Sequence, residues 1–133
     1  MNPFPSQPDC VIGKKLHKVF WQETWKPNKA TENINYSSVN ILLSHDPSLW
    51  KQEVIKNYPS IDLTLSGHTH GMQFGIDIAG IKWSPVQYFY KEWAGLYKIN
   101  NQYLYTNGGL GFIGYHGRVG ILPEITVIEL RKT

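Results

Sequence analysis

From Val39 onward the chain alternates short apolar runs with polar, glycine- or proline-bearing breaks, and each run can be assigned to an element. Val39 to Ser44 (VNILLS) is apolar enough to be a buried strand. Asp46-Pro47 follows and predicts a helix start: the aspartate can cap a free N–H, and the fixed φ of proline suits the first turn. Trp50, Val54, Ile55 and Tyr58 then share one face of that helix, which Pro59 ends. In this reading Asp46 is structural. Ile61 to Leu65 is the next strand. Beyond it, Met72 to Ile78 and Ile81 to Trp83 predict short strands hinged at Ala79-Gly80. Gly95 to Ile99 and Tyr103 to Thr106 predict a clearer hairpin, closed by Asn100-Asn101, residues that accept left-handed turn conformations. Asn107 to Gly120 is a glycine-rich loop, and Ile125 to Leu130 predicts a last strand.

The start of the chain is different. Met1 to Asn35 carries Pro3, Pro5, Pro8 and Pro27 and reads as mostly loop, with one short strand or turn around Val19, Phe20 and Trp21. The whole is therefore α/β, with a mixed sheet, antiparallel C-terminal hairpins and few helices. A single helix cannot cover both faces of such a sheet. The expectation is one partial domain over 1–133, with 1–37 a loop lead-in and 38–133 half of a sandwich.

Composition narrows the function classes. With 133 residues and 41% hydrophobic, the chain has the material for one modest core. The net charge of +3 comes from 13 basic and 10 acidic residues, scattered rather than clustered, which argues against a nucleic-acid partner. Cys10 is the only cysteine, so no intramolecular disulfide forms. No apolar run approaches the roughly 20 residues needed to cross a bilayer. As written, the chain reads as soluble.

The candidate chemistry lies in Ser66-Gly67-His68-Thr69-His70-Gly71. Residues two apart in an extended segment project to one face, so both imidazoles can reach a common metal site, with glycines relieving crowding around it. His45 directly follows the Val39 to Ser44 strand, which places three histidines at the C-terminal ends of two predicted strands, where open α/β sheets build their sites. His17 and His116 have no companions at ligand spacing and are assigned structural roles. Arg118, in the glycine-rich loop, could grip a phosphate with its planar fork of donors or form a surface salt bridge. The aromatic group Trp83, Tyr88, Phe89, Tyr90, Trp93 and Tyr97 could meet lipid or an acyl substrate, but core packing is the preferred reading. Lys91 and Glu92 are read as solvated.

Taken together, Leu42-Leu43-Ser44-His45-Asp46-Pro47 and Ser66-Gly67-His68-Thr69-His70-Gly71 resemble the last two signature blocks of the calcineurin-like metallophosphoesterases. The tail, with Asn107-Gly108-Gly109-Leu110-Gly111, Gly117-Arg118-Val119-Gly120 and Pro123-Glu124-Ile125, is similar to the C-terminal end of a bacterial, often membrane-tethered branch. The resemblance implies a metallophosphoesterase-type α/β sandwich. It implies two divalent ions held by several side chains, with His45 and His68 on one and His70 on the other. Manganese ranks first, with iron and zinc the alternatives. The substrate would be a phosphorylated small molecule or a lipid-linked phosphate, hydrolysed at a phosphoester or pyrophosphate bond.

The departures limit that expectation. The family's Asp-x-His, Gly-Asp-x-x-Asp and Gly-Asn-His blocks are absent from these residues; the only aspartates are Asp9, Asp46, Asp62 and Asp77. Gly108 stands where the resemblance leads one to expect an arginine. The chain is thus expected to hold the C-terminal half of a dinuclear site, to be inactive alone, to need the N-terminal half of its domain, and to self-associate without it. No catalytic residue is assigned. The alternatives are a mononuclear three-histidine metal module and a non-catalytic interaction domain.

Overall fold

A computed structural model describes the backbone of residues 17–22 and the chain over 39–131. Five strands, β1 (His17–Gln22), β2 (Val39–Ser44), β3 (Leu63–Ser66), β6 (Gly95–Ile99) and β7 (Gln102–Thr106), form one sheet in the order β1-β2-β3-β7-β6. The first four positions of that order are parallel, and β6 closes the edge antiparallel to β7. β4 (Ile76–Ile78) and β5 (Ile81–Trp83) make a separate antiparallel pair hinged at Ala79-Gly80. The sheet is mixed, as expected. The expected short strand around Val19 is β1, whereas the rest of the predicted loop lead-in lies outside the described residues.

The burial pattern explains the pairing. β2 is buried at four of six residues and β3 at three of four, the rest being half-buried, which suits parallel strands covered on both faces. β7 alternates, with Gln102, Leu104 and Thr106 buried and Tyr103 and Tyr105 half-buried, the pattern of a strand packed more fully on one face than on the other. The turn at Asn100-Asn101 works as anticipated, Asn100 taking φ 53°.

One helix, α1 (48–57), links β2 to β3. Its start obeys the sequence signal: Asp46 Oδ1 accepts from Ser48 N–H at 2.8 Å. Its centre does not. Trp50–Val54 is a π-helical turn, with Ile55 N–H reaching the Trp50 carbonyl, and only Ile55–Asn57 returns to α geometry. Nothing in the apolar spacing announces that wider turn, which still delivers Trp50 and Val54 to the interior. They pack with Leu42, Ile61 and Leu104, and Ile55, Tyr58, Tyr97 and Ile99 close the rim. A smaller cluster of Val86, Trp93 and Ile121, flanked by Tyr90 and Ala94, sits under the histidine-bearing loop.

Two expectations are corrected. Ile125 to Leu130 forms no strand: among the described residues no backbone ladder joins it, its Thr126 side chain bonding Asn107 and Glu124, and Ile125 and Val127 are 81% and 91% exposed. Strand-like composition cannot make a ladder without a neighbouring edge. Glu92 is buried rather than solvated, and its carboxylate is matched by Lys51 of α1. Lys91 is exposed as anticipated. No helix among the described residues is long and apolar enough to cross a membrane.

Candidate metal centre

β2 and β3 are adjacent and parallel, so the residues leaving their C-terminal ends meet at one edge. Gly67 N–H donates to the His45 carbonyl at 3.3 Å and joins the two departing loops. There His45 Nε2 and His68 Nδ1 stand 2.7 Å apart, the rings edge to face with centroids 4.6 Å apart. The other nitrogen of His68, Nε2, lies 2.9 Å from the Tyr90 hydroxyl.

The loop after β3 is not the extended segment the spacing suggested. His68, His70, Met72 and Gln73 all have left-handed φ, between 48° and 67°, as does Gly71. Each such non-glycine residue costs roughly 1–2 kcal/mol, so the surroundings must hold the loop. Thr69 Oγ1 donates to the Trp93 carbonyl at 2.8 Å, and Ser84 Oγ donates to the Gly71 carbonyl at 2.7 Å. Buried Gln73 binds the glycine-rich loop through the carbonyls of Tyr115 and Gly117 and the Ile113 N–H. As a result the two histidines part company: His68 turns to His45, and His70 turns to the glycine-rich loop, where a Cβ on Gly109 would stand 3.6 Å from its ring. Gly67, by contrast, is not crowded; its nearest neighbour is the Asn107 carbonyl, 3.9 Å from a Cβ placed there.

His70 Nδ1 is buried and has no hydrogen-bond partner among the described residues. Burial, and then the nearby charge of Arg118, hold this imidazole below its ordinary pKa of 6.5, in the neutral form that a metal requires. Burial likewise raises the Tyr90 hydroxyl above its ordinary value, with the Asp46 carboxylate adding to the shift. Arg118 makes no salt bridge among the described residues; its guanidinium donates to the carbonyls of Gly108, Gly111 and Leu122 and pins the glycine-rich loop. His116 stacks on Phe112 at 4.4 Å between centroids. The aromatic group divides: Trp93 is core, while Tyr88 and Phe89 are 72% and 75% exposed.

Among the described residues no three His, Cys, Asp or Glu side chains converge as a cage. The histidine pair nevertheless fits part of one. His45 Nε2 and His68 Nδ1 would be the nitrogens to hold an ion, and from their 2.7 Å contact the two rings would have to part to take it between them. Tyr90 was not singled out by sequence as a site residue. It lies 22 positions from His68 in an aromatic-rich stretch, and only the fold joins the two.

These features define an α/β protein with a histidine cluster at the C-terminal edge of its parallel strands. The chain is 34% identical over 110 residues to the phosphodiesterase YaeI of Escherichia coli (strain K12), covering 83% of this chain and 38% of that protein. It is 38% identical over 95 residues to the uncharacterized metallophosphoesterase YkuE of Bacillus subtilis (strain 168), covering 71% of this chain and 32% of the relative. A transmembrane protein with metallophosphoesterase domain from Bos taurus is 33% identical over 105 residues, 77% of this chain and 22% of its own length. No protein-family model and no solved structure matches. The chain belongs to the calcineurin-like metallophosphoesterase superfamily. It spans little more than a third of the first of these relatives, and less of the others.

Proposed function

We propose that this chain carries part of the dinuclear centre of a phosphoester hydrolase. His45 Nε2 and His68 Nδ1 would hold one divalent ion, and His70 Nδ1 would contribute to the second. The observation that carries the proposal is the convergence of the first two nitrogens, 2.7 Å apart, from loops that leave adjacent parallel strands. The unpartnered, buried Nδ1 of His70 supports its assignment. A bound divalent ion would supply Lewis-acid polarisation of the phosphoryl oxygens. The chain's own residues present the imidazole nitrogens and hold the loops that carry them through Thr69, Ser84 and Gln73, the last fastening the glycine-rich loop. Arg118, with its guanidinium on loop carbonyls, would meet a substrate phosphate only by giving up one of those bonds.

Manganese is the first ion to test, then iron and zinc. A phosphodiester is the first substrate, since one relative is named a phosphodiesterase. The remaining ligands would come from the N-terminal half of the domain, and a parent protein at a membrane accords with the relatives named as transmembrane. His70 faces the glycine-rich loop instead of the histidine pair, which favours two ions over one held by three histidines. The exposed apolar side chains of Ile125, Val127 and Leu96 support self-association of the chain alone, which sedimentation velocity would detect.

The test is metal titration by calorimetry on wild type, His45→Ala, His68→Ala and His70→Ala. Substitution of His45 or His68 should abolish the same binding event, and that of His70 a different one. Equal loss of a single event in all three variants would refute the assignment to two ions. The chain alone is expected to leave a phosphodiester reporter intact; turnover that disappears in His68→Ala would overturn that expectation.

A further inference from the structure

We infer that Tyr90 is a positioning residue for the metal centre, its hydroxyl oxygen accepting from His68 Nε2–H so that the lone pair of Nδ1 is turned toward the ion. The inference rests on the metal-centre reading above. The two nitrogens of His68 have distinct neighbours: Nδ1 faces His45 Nε2 at 2.7 Å, and Nε2 faces Tyr90 Oη at 2.9 Å. If an ion lies between His45 and His68, both facing nitrogens must be unprotonated, and the remaining proton of neutral His68 sits on Nε2. A ligating imidazole whose second nitrogen donates to a fixed acceptor is held in tautomer and orientation. Tyr90 is the group placed to accept.

Its fixity is built by the chain around it. The segment from Ser84 to Trp93 is fastened to the histidine loop at both ends, by Ser84 Oγ on the Gly71 carbonyl and by Thr69 Oγ1 on the Trp93 carbonyl. Between those points, Tyr90 N–H donates to the Val86 carbonyl at 2.8 Å, and Val86 is anchored in the cluster with Trp93 and Ile121, against which Tyr90 packs. The ring of Tyr90 also meets that of His68 edge to face, with centroids 5.4 Å apart. Three successive contacts, at Gly71, Thr69 and His68, therefore make this segment a brace for one ligand. Among the described residues His45 has no comparable ring partner apart from His68 itself.

Tyr90→Phe keeps the ring and its packing and deletes only the acceptor. With the 133-residue chain and zinc chloride as the probe, the variant should bind zinc about tenfold or more weakly than wild type, as loss of such outer partners typically does. Tyr88→Phe, at an exposed tyrosine in the same segment, should equal wild type. Nitrogen-15 spectra of the zinc-loaded wild type should show His68 bound through Nδ1 with a slowly exchanging Nε2–H, and that proton should exchange freely in Tyr90→Phe. Wild-type affinity in Tyr90→Phe, or zinc on Nε2 of His68, would overturn the inference while leaving the metal centre standing. Zinc bound by His68→Ala as tightly as by wild type would remove the metal centre, and this role of Tyr90 with it.

Discussion

Ser84 offers a measurable test of how the histidine loop is held. Its side chain is fully buried and does two things: it donates to the Gly71 carbonyl at 2.7 Å and accepts from Val86 N–H at 3.2 Å as the cap of the short 3-10 turn Pro85–Tyr88. Ser84→Ala preserves Cβ and therefore removes little packing. Loss of an N-cap costs typically about 1 kcal/mol, here toward the lower part of the range because the turn is short. Loss of the buried hydrogen bond costs about 1 kcal/mol more. The full penalty for an orphaned carbonyl does not apply, because Gly71 O also accepts from Phe74 N–H at 3.3 Å. The sum is about 1.5–2 kcal/mol, or about 6 °C in melting temperature for a domain of this size. Urea unfolding followed by tryptophan fluorescence reads the stability. Amide hydrogen exchange should accelerate at Val86 and Tyr90 beyond the global change, since the brace opens locally. A loss under about 0.5 kcal/mol, or exchange that rises uniformly, would show that Ser84 does not fasten this segment.

Two further substitutions test the glycine-rich loop. Gly120 has φ 72°, and a Cβ there would stand 1.8 Å from the Gly75 carbonyl oxygen, so Gly120→Ala should cost more than about 3 kcal/mol. Gly114→Ala, at a similar φ but with open space around it, should cost only about 1–2 kcal/mol in the same urea experiment; equal costs would refute the contact argument. Glu124 is held below its ordinary pKa of 4.5: burial acts in the opposite direction, but bonds from Tyr105, Gly108 N–H and Thr126 outweigh it. A depressed carboxylate contributes stability that is present above pH 4.5 and lost as pH falls through the folded-state pKa. Glu124→Gln should therefore flatten the acid limb of stability against pH, and an unchanged slope between pH 5 and pH 3 would count against it.

Much of the frame was legible in the residues, for identifiable reasons. β2 and β3 are short apolar runs with capping or glycine signals at their ends, and the β6–β7 hairpin has a turn of asparagines. These are local signals. The positions of His45 and His68 followed from them, because a residue just past a parallel strand has one edge to occupy. What could not be read depends on contacts between distant segments. The π turn of α1 accompanies the burial of Trp50 and Val54 against the strands, and the divergence of His68 and His70 follows from a run of left-handed residues held by Thr69, Ser84 and Gln73. Glu92 looked like a surface residue until α1 brought Lys51 to it. The apolar residues of 125–130 satisfy a strand pattern, yet a pattern specifies a face and not a partner.

The strand order carries a consequence for how the chain emerges from the ribosome. β3 is flanked by β2, synthesised before it, and by β7, whose last residue Thr106 follows Ser66 by 40 positions. At about 5–20 residues per second of synthesis, the inner edge of β3 stays open for about 2–8 s after β3 itself is made. During that interval a strand buried at three of its four residues in the finished sheet presents unpaired backbone to whatever is near. The histidine-bearing loop, the β4–β5 hairpin and the segment carrying Tyr90 are all translated within it. Chaperone dependence during synthesis should therefore concentrate on this stretch, and end when β7 slots in beside β3.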